Sequence, residues 1–106
     1  ISDDYIHEDR VRLELYRRLS RASEIQEVYA IEEEMEDRFG KPDVPTKQFI
    51  ELIIIKILAL NLGIQNISSY EMAITFTKAN DTKETIKSPS KDDDDIIATT
   101  LRYLRK

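Results

Sequence analysis

Between Pro45 and Gly63 lies the run Phe49-Ile50-Glu51-Leu52-Ile53-Ile54-Ile55-Lys56-Ile57-Leu58-Ala59-Leu60-Asn61-Leu62, which is apolar almost all round. A segment with so little polar surface has to be covered by the rest of the chain, so it is expected to form a buried central element. Its β-branched isoleucines would suit a strand. The start and stop signals predict a helix instead: Asp43-Val44-Pro45-Thr46 opens it, with proline near the first turn where a missing N–H costs nothing, and Gly63 closes it. Glu51, Lys56 and Asn61 interrupt the run too often for a membrane span. The isoleucine stripe could also line a ligand pocket or a dimer face. A core role fits better, because the neighbouring segments are amphipathic and need an apolar element to pack on.

Upstream, residues 1–7 lack periodicity and read as an extended lead-in. From Glu8 to Arg21, Val11, Leu15 and Leu19 recur every four positions, and Leu13 and Tyr16 widen the stripe, which predicts a helix with one buried side. Acidic Glu8 and Asp9 at its front and Arg17, Arg18 and Arg21 at its back suit the helix dipole. Ser23 with Gln26 is a capping-box pattern and predicts the start of a second helix. Ile25, Val28, Tyr29, Ile31, Met35 and Phe39 form its apolar side, and Gly40 and Pro42 end it. Ala22 to Gly40 holds seven acidic residues and one basic, whereas Arg10 to Arg21 holds five arginines and one acid. Opposite charge on consecutive helices favours an antiparallel hairpin, although apolar packing must do most of the holding.

Downstream, Ile64–Ser68 and Met72–Thr77 predict two short antiparallel strands joined around Ser69-Tyr70-Glu71. Lys78 to Lys91 reads as a polar loop in which Thr85-Ile86-Lys87 could add a third strand. Asp92 to Lys106 has acid at its front and base at its back and predicts a terminal helix buried along Ile97, Leu101 and Leu104. The expected fold is therefore α+β: an antiparallel helix pair plus a buried central helix, a small antiparallel β-sheet and a C-terminal helix. All of it belongs to a single domain over residues 1–106, with 1–7 as lead-in, 8–63 as the helical part, and 64–106 as sheet, loop and terminal helix.

The inventory for chemistry is thin. With no cysteine, the chain has no disulfides, thiolate metal sites or cysteine nucleophiles. His7, the only histidine, lies in the lead-in without a partner at a recognisable spacing. Both glycines already serve as helix stops, so no phosphate-binding loop remains. Asp92 to Asp95 point in directions about 100° apart on a helix and lack loop ligands, so they read as a solubilising helix start and not as a metal site. No catalytic residue, cofactor or metal is expected in the segment. A net charge of −5 argues against phosphate-driven binding by the whole surface. The sharper surface is on the second helix: at about 100° per residue, Glu34, Asp37 and Arg38 project together away from the apolar side. With Glu27 and Ala30 they make a charged platform suited to docking on a complementary patch. The alternative is a direct nucleic-acid-binding module using Arg10, Arg12, Arg17 and Arg18 of the first helix.

Four segments taken in order carry a resemblance: Ile1-Ser2-Asp3-Asp4-Tyr5-Ile6, Arg12-Leu13-Glu14-Leu15-Tyr16-Arg17-Arg18-Leu19, Glu34-Met35-Glu36-Asp37-Arg38-Phe39-Gly40-Lys41-Pro42 and Leu58-Ala59-Leu60-Asn61-Leu62-Gly63-Ile64. Over roughly residues 1–76 the chain resembles the C-terminal domain of bacterial transcription-repair coupling factors. Beyond Phe76 it is shorter and more polar than that pattern. The resemblance implies a piece of a larger cytoplasmic protein, an ATP-driven double-stranded DNA translocase whose motor would hold ATP and magnesium upstream of Ile1. Such a parent would push stalled RNA polymerase off a lesion and recruit UvrA. This segment, monomeric when isolated and without a membrane partner, would dock in cis on the UvrB-like module, masking UvrA binding and restraining the motor. The contact residues implied are Glu34, Asp37 and Arg38.

Overall fold

A computed structural model describes residues 1–105. The elements are α1 (Asp9–Arg21), α2 (Ile25–Phe39), α3 (Val44–Asn61), β1 (Ile64–Tyr70), β2 (Ala73–Lys78), β3 (Lys83–Lys87) and α4 (Asp93–Leu104). This is the α+β order that the hydrophobic periodicity predicts. The residues fall into two compact units, Ile1–Ile54 and Ile55 onward, with the change of unit inside α3. Among the described residues no helix is long and apolar enough to cross a membrane.

In the first unit, α1 buries Leu15 and Leu19 while α2 buries Val28, Ile31 and Met35. The two helices run antiparallel, since Arg21 lies beside Glu27 at the turn and Val11 beside Phe39 at the far end. Tyr16 meets Phe49 edge-on with ring centroids 4.8 Å apart. The lead-in is held as well: Ile6 is buried, and the Tyr5 hydroxyl lies 2.5 Å from the Gly40 carbonyl and 3.2 Å from that of Met35. Burial, and then Glu36, push the Tyr5 hydroxyl pKa up. Gly40 has φ of 84° and Gly63 of 72°, the left-handed region that residues with a Cβ enter at a cost, so both helix stops favour glycine.

The capping box expected from Ser23 and Gln26 does not form. The cap position is Glu24, without a side-chain cap bond, and the Ser23 hydroxyl instead donates to the Glu27 carboxylate at 3.2 Å. One residue of slippage in the turn removes Ser23 from reach of the first free N–H groups. Ser23→Ala should consequently change unfolding free energy by less than about 0.5 kcal/mol, where loss of a true cap costs about 1 kcal/mol; urea titration distinguishes the two. The cap of α3 does form, with the Thr46 N–H donating to Asp43 at 3.1 Å. Hydrogen bonding by Thr46 is the main cause holding the Asp43 carboxyl below its ordinary range.

Helix α3 buries Ile50, Ile54, Ile55, Ile57 and Ala59, so the apolar run supplies core as expected. It is not covered all round: Leu52, Lys56 and Leu60, at i, i+4 and i+8, form one exposed stripe. A helix whose whole circumference is apolar can leave any narrow sector outward at small cost, and the sequence carries no mark of which one.

The second unit is a three-stranded antiparallel sheet in the order β1-β2-β3 with α4. Phe76 pairs with Ile67 and Glu84 across the strands, and Ile74 pairs with Ser69 and Ile86, which sets the buried side. Ile55, Ala59, Ile64, Ile74, Phe76, Ile97 and Leu104 form its core. Tyr103 stacks on Phe76 at 4.1 Å and donates to the Glu84 carboxylate at 2.5 Å. Within the polar stretch Lys78 to Lys91 the third strand expected around Thr85-Ile86-Lys87 forms and is longer: β3 occupies Lys83–Lys87, reached by a turn in which Asp81 adopts φ of 67° and Asn80 accepts from the Thr82 N–H. The start of α4 is organised by Ser90, whose hydroxyl accepts from the Asp92 N–H at 3.1 Å and donates to Asp95 at 2.6 Å.

Candidate protein-docking surface

Helix α2 exists because its apolar residues recur on one side, and burying that side turns the acidic residues outward or to its flanks. Asp37 and Arg38 are exposed; Glu34 is half-buried. Glu34 is turned across the hairpin, where Arg18 of α1 grips both of its oxygens, at 2.6 Å and 3.0 Å. Arg38, one turn on, adds a weaker contact at 3.6 Å. The Arg18 hydrogen bond is the main cause holding the Glu34 carboxyl below its ordinary range, and the same bond raises Arg18. A fork-to-fork pair of this kind fixes orientation, but at this exposure it contributes only about 0.2–1 kcal/mol of stability.

Arg38 also lies over the Phe39 ring, 4.9 Å from its centroid. Phe39 in turn meets Tyr5 edge-on at 6.1 Å. The Arg38 guanidinium therefore ends on an aromatic base tied to the lead-in, at the rim of a depression of about 220 Å³ that Ile6, His7 and Val11 also line. Asp37 is adjacent in sequence and forms no ion pair among the described residues. The three residues thus divide into an anchored Glu34, a braced Arg38 and a free Asp37. Such a row presents fixed charge of both signs at the surface.

Of the four arginines considered for nucleic acid, two are engaged within the fold. Arg18 holds Glu34, and Arg12 donates to the Ile6 carbonyl at 2.7 Å and to Asp9 at 2.5 Å. Helical periodicity alone does not reveal the Arg18–Glu34 pair, because the partners are sixteen positions apart; the opposite charges of the two helices are the available signal. It likewise misses Glu32, whose side chain is only 14% exposed and accepts from Lys47 at 2.7 Å. Among the described residues no cluster of histidine, cysteine, aspartate or glutamate could hold a metal ion.

The fold is that of a repair-factor terminal domain. A solved structure described as the C-terminal domain of transcription-repair coupling factor superposes with a TM-score of 0.69 at 22% identity, over 74% of this chain and 48% of that one. A family model, the TRCF domain, matches residues 1–88, and the chain belongs to that family. The match runs past Phe76 and takes in β3. The chain is 47% identical over 104 residues to the transcription-repair-coupling factor of Helicobacter pylori (strain J99 / ATCC 700824), covering 98% of this chain and 10% of the relative. It is 37% identical over 70 residues to that of Mycobacterium bovis, covering 66% of this chain and 6% of the relative. The chain thus spans about a tenth or less of the length of these curated relatives.

Proposed function

We propose that this chain is a non-catalytic regulatory domain of a transcription-repair coupling factor, docking in cis on the UvrB-like module through the outward charges of α2. Docked, it masks the UvrA-binding surface and restrains an ATP- and magnesium-dependent DNA translocase motor in the cytoplasm; engagement of stalled RNA polymerase releases it. The observation that carries the reading is the exposed Asp37-Arg38 pair beside an anchored Glu34, within the Asp-Arg-Phe-Gly segment. Fixed charges of both signs in one row give register and specificity to a contact more than raw affinity. Tethering then makes a weak contact sufficient, since the partner is present at high effective concentration.

Asp37 is the position to test. Glu34→Lys would also leave Arg18 and Arg38 facing a like charge, so loss of docking could not be separated from loss of the hairpin. Asp37→Lys in the full-length parent should raise basal ATPase activity and UvrA affinity together, by about tenfold or more if the contact is desolvated. Basal ATPase and UvrA affinity both at the parent's level would refute the docking role.

A further inference from the structure

Another charged row lies outside the α2 surface. At about 100° per residue, Arg17 and Arg21 fall within about 20° of Arg10 around α1, and Glu14 about 40° away, while buried Leu15 and Leu19 fall near 140° and 180°. The row is therefore opposite the core, and at about 1.5 Å per residue it is roughly 16 Å long. All three arginines are exposed, and unlike Arg12 and Arg18 none forms an ion pair among the described residues. Arg17 and Arg21 are one turn apart, a like-charge spacing that disfavours the free helix, and neither forms an ion pair among the described residues. Leu13, 61% exposed, flanks the row. At its end Arg21 borders a depression of about 410 Å³ that Arg18, Glu27, Ala30 and Ile31 also line, so its one carboxylate is a further place for a base on the partner.

We propose that Arg10, Arg17 and Arg21 form a docking row for an acidic helical segment of another polypeptide, with Leu13 as its apolar contact. Guanidinium forks match carboxylates two bonds at a time. A nucleic-acid backbone fits less well, because its unbroken row of phosphates would bring negative charge onto Glu14 inside the row, where a polypeptide can place a base. A helix can place carboxylates opposite the three arginines, a base opposite Glu14 and an apolar residue opposite Leu13. The three arginines belong to α1, and the peptide test below does not depend on Glu34, Asp37 or Arg38.

The test uses the whole chain and a fluorescein-labelled helical peptide of about 20 residues, with glutamates at i, i+4 and i+11 to face Arg21, Arg17 and Arg10, a lysine to face Glu14 and one leucine. By anisotropy at low salt the peptide should bind, and Arg10→Glu/Arg17→Glu/Arg21→Glu should weaken it at least about tenfold. Arg10→Gln/Arg17→Gln/Arg21→Gln, which adds no repulsion, should weaken it as well, and a peptide with lysines for its three glutamates should recover binding to the triple-Glu variant. Absence of binding, or equal binding by the triple variants, overturns the proposal. Tighter binding of a duplex DNA than of the peptide overturns it in favour of a phosphate surface.

Discussion

Phe76→Ala is expected to remove about 3–5 kcal/mol from the second unit, the usual cost of truncating a fully enclosed aromatic residue. Phe76 has no exposed surface and sits on the central strand, paired with Ile67 on one side and Glu84 on the other. It contributes to the core with Ile74, Ile97 and Leu104, and it also supports the Tyr103 ring at 4.1 Å. Removing it opens a cavity, ends the stacking and loosens the Tyr103 hydroxyl that now reaches Glu84. The loss is a large part of the about 5–15 kcal/mol typical of a whole domain, so much of the sheet's amide dispersion should be gone at 25 °C. Phe76→Leu, which keeps most of the volume, should cost appreciably less. The measurement is a urea titration followed by circular dichroism, with amide spectra assigning the loss to β1–β3 and α4. A midpoint change equivalent to under about 1 kcal/mol would mean that Phe76 does not anchor this core.

The same residue shows why part of the fold is legible and part is not. Met72-Ala73-Ile74-Thr75-Phe76-Thr77 alternates with period two, so the strand and its buried side follow from spacing. Lys83–Lys87 declares itself only over Thr85-Ile86-Lys87: Ile86 is its only large apolar residue, and pairing with β2 carries the strand back to Lys83. Tertiary context overrides weak local preference there. On α2, angular position separates Asp37 from the core, whereas Glu34 moves to the seam because a distant arginine attracts it. Periodicity reports direction around a helix; it contains no information on which neighbour meets which edge. The Asp-Arg-Phe-Gly segment, by contrast, lies within the family match over residues 1–88 and is legible as residue identities without any knowledge of its neighbours in space.

Met35→Ala should destabilise the first unit by about 2–5 kcal/mol, since Met35 is fully buried on the inner side of the helix that bears Glu34, Asp37 and Arg38. Its carbonyl is also approached by the Tyr5 hydroxyl, so slackening here reaches the lead-in beside Phe39. If docking depends on charges held by a folded hairpin, Met35→Ala in the full-length parent should raise basal ATPase activity and lower hairpin stability together. Asp37→Lys should raise the activity without lowering hairpin stability, because that side chain is exposed and forms no ion pair among the described residues. Met35→Leu, close in volume, should leave both near the starting values. The comparison separates two causes that one variant would confuse: loss of a scaffold and loss of a contact. Should Met35→Ala lower stability while basal activity stays at the parent's level, the fold of α2 would be irrelevant to restraint, and the docking surface would have to lie elsewhere on the chain.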